Sequence, residues 1–327
     1  MTGLSDSFQR PIDYLRVSVT DRCNLRCIYC MPPEGIHLLP REDILSYEEI
    51  HRVVRAAVEL GITRIRLTGG EPLVRDGFSR LVALIARIEG IKDLSLTTNG
   101  ILLSRWAARL KAAGVGRVNV SLDSLREERF REMSRGGRLR DVLRGIRRAQ
   151  ELGLTPVKLN TVVVRGINDD EILDFARRTL DEEWHVRFIE LMPFGREEDP
   201  TTSFVSVEEI QQQIAALGRL EPCHPKAGNG PAQYFRLPGA RGTVGFISPV
   251  SEHFCVSCNR MRLTADGRLR LCLLDDAEED LRGPLRRGAS VAELKAIMEE
   301  AVAFKPAGHR LAEGMAPQAR TMSRIGG

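Results

Sequence analysis

Six stretches of the chain alternate apolar and polar residues with a period of two, and helix-like segments separate them. The strand-like runs are Tyr14–Thr20, Arg64–Thr68, Leu94–Thr98, Arg117–Asp123, Val157–Val164 and Val186–Met192. Apolar residues recur at helical spacing in Tyr47–Leu60, Phe78–Ile88, Leu139–Leu152 and Asp170–Leu180. Alternating strands and helices predict a parallel sheet with the helices outside it, an α/β fold. Six such units fall short of the eight that close a TIM barrel, so the expected architecture is an incomplete (β/α)6 TIM-type barrel.

Strands covered on both faces normally read as unbroken apolar runs. Here one face of most runs is polar. Arg16, Ser18 and Thr20 alternate with Leu15, Val17 and Val19, and Arg66 and Thr68 alternate with Ile65 and Leu67. Ser95 shares a face with Thr97, Asn119 with Ser121 and Asp123, and Lys158 with Asn160. In the sixth run Glu190 and Met192 share a parity against Ile189 and Leu191. Outer helices need apolar partners, so the polar parity is expected to face a lumen that takes a charged, hydrogen-bonding ligand. An antiparallel sheet with one wet face would give the same alternation, but the intervening helices argue against it.

After Phe194 the pattern changes. Gly195–Thr202 reads as a linker, Ser206–Leu217 as a further helix, and glycine-rich Lys226–Pro231 as a boundary. Short strand-like pieces follow at Tyr234–Leu237, Thr243–Ile247, Met261–Thr264 and Arg268–Leu271, with a last helix near Val291–Phe304. The expected division is a barrel over residues 1–225 and a smaller C-terminal α+β region over residues 226–327.

Two cysteine triplets carry the chemistry. Cys23, Cys27 and Cys30 follow the first strand with spacing Cys-x3-Cys-x2-Cys, Tyr29 standing before the last thiol. Three thiolates so close can hold three irons of a [4Fe–4S] cube and leave the fourth open to a small molecule. A zinc site normally pairs two dicysteine motifs, and an unfinished triplet fits it poorly. Cys255 and Cys258 form a second pair, and the Ala265-Asp266-Gly267 turn brings Cys272 back to it. Spacing alone allows a Cys3His zinc ribbon using His253 there; the first triplet favours a second cluster. Cys223 is left over and receives no role.

Composition sets bounds. Seven cysteines in a chain with no apolar leader in Met1–Arg10 argue for metal or redox use and a cytoplasmic location. No run reaches the ~18 apolar residues of a membrane span. The net charge of +4 is too mild to imply nucleic acid. Only six of the 48 basic residues are lysine, and arginine's fork suits phosphate better than a point charge does.

The first triplet and Gly69-Gly70-Glu71-Pro72 resemble the signature of the radical S-adenosylmethionine (SAM) superfamily. The second triplet, Arg260-Met261-Arg262 and the terminal Arg324-Ile325-Gly326-Gly327 narrow the resemblance to the GTP cyclases that open molybdenum cofactor biosynthesis. It runs from about Tyr14 to the last residue. It implies two [4Fe–4S] clusters, one on Cys23, Cys27 and Cys30 and one on Cys255, Cys258 and Cys272. It implies SAM contacts at Tyr29, Gly70, Ser121 and Met192, and GTP contacts at Arg16, Arg66, Thr97, Lys158, Arg260, Met261 and Arg262. A 5′-deoxyadenosyl radical would take hydrogen from the ribose C3′ of GTP, the sugar radical would attack guanine C8, and reduction of the resulting radical by one electron, with a proton, would give 3′,8-cyclo-7,8-dihydro-GTP. A flavodoxin- or ferredoxin-like electron donor, a downstream cyclic pyranopterin monophosphate synthase and a homodimer are implied as partners. The tail from Met315 would by composition fray, whereas the resemblance implies that Arg324, Gly326 and Gly327 enter the active site. Two other readings remain: a peptide-modifying radical SAM enzyme, and a non-catalytic protein that binds metal and nucleotide.

Overall fold

The computed structural model describes residues 3–194, 203–224, 227–313 and 315–326. The segment 195–202, Lys226 at the expected boundary and Gly327 at the tail lie outside them. The six expected strands are present as β1 (Tyr14–Ser18), β2 (Arg64–Thr68), β3 (Asp93–Thr98), β4 (Arg117–Ser121), β5 (Lys158–Val163) and β6 (His185–Glu190). They pair in sequence order and in parallel. Helices α1 (Tyr47–Glu59), α2 (Phe78–Ala86), α3 (Leu103–Ala113), α4 (Glu127–Ser134), α5 (Leu139–Glu151) and α6 (Ile172–Asp181) alternate with them. At α1 the Ser46 hydroxyl accepts from the Glu49 backbone N–H while Glu49 accepts from that of Ser46. This reciprocal cap explains why the helix begins there.

The sheet is longer than the six units. Strands β7 (Glu221–Pro222), β8 (Gln233–Arg236), β9 (Thr243–Ile247), β10 (Arg260–Leu263), β11 (Arg268–Arg270) and β12 (Glu278–Asp280) join it. The order is β12-β11-β10-β1-β2-β3-β4-β5-β6-β9-β8-β7. β10 lies parallel beside β1 and β9 parallel beside β6, while the outermost strands run antiparallel. The C-terminal strands thus extend both edges of one open sheet. The remaining helices are α7 (Val207–Ile214), α8 (Arg282–Arg286), α9 (Val291–Ala303), which packs on α1, and α10 (Met322–Ile325).

The outward parity packs as expected. Leu15, Val17, Ile65, Leu67, Leu96, Val118, Val120, Leu159 and Val186 are fully buried in one cluster with Val53, Leu81, Ile146 and Phe175 of the helices. Each such side chain contributes about 1.5–3 kcal/mol by leaving water, so this outer seam fixes which residues face in. Register carries the consequence across the sheet. Arg262, Arg16, Arg66 and Ser95 are direct neighbours on β10, β1, β2 and β3. Asn160 pairs with Arg187 and Val162 with Ile189.

That pairing corrects the expected parity of the sixth run. The inward side chains within β6 are Arg187 and Ile189, while Glu190 at the strand's end turns its carboxylate away and Met192, on the expected parity, still lines the lumen. Glu190, fully buried, accepts hydrogen bonds from the backbone N–H groups of Val207, Val250 and Ser251, each at 3.0 Å, and from the Ser251 hydroxyl. It anchors the chain that returns from β9 and the start of α7. Glu190→Ala should leave several buried donors unpaired, each costing about 1–3 kcal/mol. We expect a destabilisation of at least ~3 kcal/mol in denaturant unfolding, with Glu190→Gln milder. An unshifted midpoint for the alanine variant would contradict this role.

Candidate active site

The first triplet occupies the loop after β1, pinned on several sides. Tyr29 Oη donates to Asp123 Oδ2 at 2.6 Å, and Ile28 N–H donates to the Met133 carbonyl at 2.9 Å. Gly70 N–H donates to the Thr20 carbonyl at 2.7 Å and Glu71 N–H to that of Arg22 at 2.8 Å. A Cβ on Gly70 would lie 2.4 Å from the Arg22 carbonyl oxygen. Only glycine lets the end of β2 close on the cysteine loop. Glu71, which sequence reading left without a role, is fully buried; its carboxylate accepts from Leu73 N–H, Thr98 Oγ1 and Asn99 N–H. Burial pushes its pKa up to about 7.

The thiols are poorly placed as free thiols. Burial first, and then Glu71, pushes Cys23 up to about 11; burial and the other cysteines with Asp123 push Cys30 to about 12 and Cys27 well above its ordinary value. Three partly buried sulfurs beside carboxylates need a cation before they ionise. A coordinated iron cluster supplies one, which is the sense in which these residues fit it.

Two adjoining cavities fill the lumen. One, of about 170 Å³, is lined by Cys23, Cys27, Cys30, Tyr29, Gly70, Thr97 and Ser121. The other, of about 160 Å³, is lined by Cys255, Cys258, Cys272, Arg16, Arg66, Arg187, Arg260 and Arg262. Asn160, Ile189 and Met192 line both and form the partition. Thr97, expected with the GTP contacts, therefore lines the chamber of the first triplet. Met261 departs further: it pairs with Leu15 on the outward face and is fully buried in the core, so its side chain does not reach the lumen. Arg260 and Arg262 share the inward face with Tyr14 and Arg16.

The second chamber is cationic without compensation. Among the described residues, Arg16, Arg66, Lys158, Arg187, Arg260 and Arg262 form no ion pair, whereas Arg117 pairs with Asp93. Arg16 Nε, Arg187 Nε, Arg260 Nε, Arg262 Nη1, Tyr14 Oη and Asn160 Oδ1 are buried without a hydrogen-bond partner. Burial, then Arg262 and Arg66, holds the Arg16 guanidinium well below its ordinary pKa. Burial with neighbouring guanidinia brings Arg66 and Arg262 down to about 10. Lys158 lines neither cavity. Its ammonium donates to the Ala227 carbonyl and sits 5.0 Å from the Tyr234 ring, and burial with Arg187, Arg117 and Arg66 lowers it to about 6. Arg187 was missed because the sixth run was read one residue out of parity. Unpaired buried donors are costly, and a polyanion satisfies them.

The second triplet sits in a different field. Burial would raise the Cys258 thiol, but Arg260 and Lys305 outweigh it and bring it to about 7. Among the described residues no three His, Cys, Asp or Glu side chains are grouped as ligands of a single metal ion would be. His253 stacks edge-on against His309 with ring centroids 5.1 Å apart. The tail returns to both chambers. Met322 and Ser323 line the first, and Ile325 and Met322 pack with Met192 and Cys272. Gly326 has φ +83°, and a Cβ on it would lie 2.9 Å from Ser18 and Thr68 at the strand ends. Arg324 Nη2 donates to the His37 carbonyl, its Nε is buried without a partner, and Arg320 pairs with Asp266 and Glu278.

An open parallel barrel with a cysteine triplet after its first strand defines a radical SAM enzyme, and residues 17–179 match the Radical SAM superfamily model. Residues 184–311 match the model Molybdenum Cofactor Synthesis C. Over 99% of its length the chain is 55% identical to the GTP 3′,8-cyclase of Moorella thermoacetica, covering all of that protein. It is 54% identical to that of Pelotomaculum thermopropionicum, again over 99% of the chain and all of the relative. The solved structure of Streptococcus suis SuiB bound to S-adenosylmethionine shares the fold, with a TM-score of 0.59 at 13% identity over 87% of this chain and 68% of SuiB. The chain belongs to the GTP 3′,8-cyclase family. SAM and [4Fe–4S] clusters are its cofactors.

Two clusters predict about eight irons per chain after anaerobic reconstitution. Cys258→Ser should lose roughly half of them and keep uncoupled SAM cleavage, while Cys27→Ser should lose SAM cleavage altogether. Stoichiometric zinc at the C-terminal site of protein isolated without air would sink the two-cluster assignment.

Proposed function

We propose that the chain cyclises GTP to 3′,8-cyclo-7,8-dihydro-GTP, the first step of molybdenum cofactor biosynthesis. The observation that carries this reading is the set of unpaired, buried guanidinia in one lumen between two thiol triplets. When bound, the first cluster and SAM supply the hydrogen-abstracting radical. The protein's own residues bind, orient and exclude water. Cys23, Cys27 and Cys30 would hold the first cluster, and Tyr29, Gly70, Ser121 and Met192 would receive SAM; Thr97 lines that same chamber. Cys255, Cys258 and Cys272 would hold the second cluster beside the guanine. Arg16, Arg66, Arg187, Lys158, Arg260 and Arg262 would take the triphosphate and ribose through charge-assisted hydrogen bonds. Met192, Asn160 and Ile189 line both cavities, so the ribose would lie across that partition. Full-length likeness to GTP cyclases and a lumen of unpaired guanidinia favour a nucleotide triphosphate over a peptide.

A flavodoxin- or ferredoxin-like protein is the proposed electron donor, cyclic pyranopterin monophosphate synthase takes the product, and the working unit is a homodimer. The resemblance to the family is what suggests these partners. A cytoplasmic site suits the seven free thiols. Among the described residues no helix is long and apolar enough to cross a membrane.

Anaerobic incubation with SAM, a reductant and GTP tests the activity; SAM cleavage with no cyclised nucleotide would reject it. Arg262→Ala or Arg260→Ala should weaken GTP binding by about 1.5–3 kcal/mol, as for a lost charged hydrogen bond. Radical generation from SAM should survive, and unchanged affinity in both variants would remove these residues from the site. Deleting Gly326 and Gly327 should leave folding, iron content and SAM cleavage largely intact and abolish cyclised product. Normal GTP turnover by the truncated enzyme would return the tail to a passive end.

A further inference from the structure

We infer that Lys305 is a positioning residue for the second triplet, holding two of its three thiols in place and supplying the positive charge that favours reduction of the cluster bound there. The inference rests on reading Cys255, Cys258 and Cys272 as a cluster site. Lys305 follows α9 and is 3% exposed. Its ammonium donates to the Arg260 carbonyl at 3.0 Å and to the Leu271 carbonyl, and the nearby Cys258 and Cys272 sulfurs favour its charged form. Arg260 is two residues past Cys258, and Leu271 immediately precedes Cys272. One ammonium therefore ties together the two strand ends that carry those cysteines.

The same turn secures the third thiol. Arg10 donates to the Cys255 carbonyl at 2.7 Å, to that of Ala307 at 2.8 Å and to that of Pro306 at 2.6 Å, while Asp6 steadies its Nε at 2.6 Å. Residues 305–307 are thus the common support of all three cysteines, and only Lys305 among them is charged.

A buried ammonium is costly without a counter-charge, and among the described residues no carboxylate pairs with Lys305. The thiols beside it are the available negative charge. Hydrogen bonds to cluster sulfurs and local charge set an iron–sulfur potential. A fixed cation favours the more negative, reduced state and so raises that potential. The first triplet is built the other way, with Asp123, which follows β4, held against Tyr29 of the cysteine loop.

The test is a redox titration of the reconstituted holoenzyme followed by electron paramagnetic resonance, in which the first cluster is identified by the response of its signal to SAM. Lys305→Met should keep about eight irons and lower the midpoint of the SAM-insensitive cluster alone. Lys305→Arg, which keeps the charge, should return it. An unchanged midpoint in Lys305→Met, or equal shifts in both clusters, overturns the inference. If Lys305→Met loses the second cluster, Lys305→Gln keeps a donor without the charge. Retained iron with a lowered midpoint in Lys305→Gln upholds the inference, and retained iron with an unshifted midpoint overturns it. Loss of the second cluster in both neutral variants but not in Lys305→Arg also upholds it, and loss in all three overturns it as a packing effect. About four irons in the unaltered protein would fail the two-cluster reading instead.

Discussion

Like charges on directly opposed strand residues repel, yet register sets Arg262, Arg16 and Arg66 side by side across three neighbouring strands. Among the described residues no carboxylate pairs with them, because those near the barrel floor are already engaged: Asp93 with Arg117, and Asp13 with Arg64 and two asparagines. The arrangement persists because the outer seam of aliphatic side chains fixes the inward parity. The fold tolerates the repulsion, and a polyanion relieves it. Substrate binding and stability are in this way coupled through the same guanidinia.

How much of this was legible follows from what alternation encodes. A period of two locates strands and separates their faces, and five of the six runs gave the right inward residues. It does not say which parity is inward when both carry polar groups. The sixth run holds Arg187 on one and Glu190 on the other, and only pairing with β5 decides between them. Met261 belongs to the same lesson. Its neighbours Arg260 and Arg262 face the lumen, so a motif of three consecutive residues on a strand cannot present all three side chains to one ligand.

Long-range returns were less visible. β9 and β10 read as short pieces of a separate region, but they complete the parallel core at its two edges. Their partners, β6 and β1, are distant in sequence, and no local pattern names them. The supports of the second triplet are hidden for the same reason. Arg10 meets Cys255 across almost the whole chain, and Lys305 reads in sequence as an isolated lysine after a helix. Glu71 lay inside a legible motif, but its three acceptor contacts depend on where Thr98 and Asn99 fall in space.

The tail shows how a composition that suggests fraying can yield order. Few apolar residues would predict a loose end, yet Ile325 is 1% exposed and packs with Phe194 and Leu274. Arg320 contributes a second hold through Asp266 and Glu278, both on the hairpin side that also carries Cys272. The left-handed Gly326 then lets the backbone pass between Ser18 and Thr68, where any Cβ would collide. Met322 lines the first chamber and, with Met192 and Cys272, packs against the cluster of Phe194, Leu274 and Ile325. The order of residues 322–326 comes from this packing and from the ion pairs of Arg320, which composition alone does not reveal.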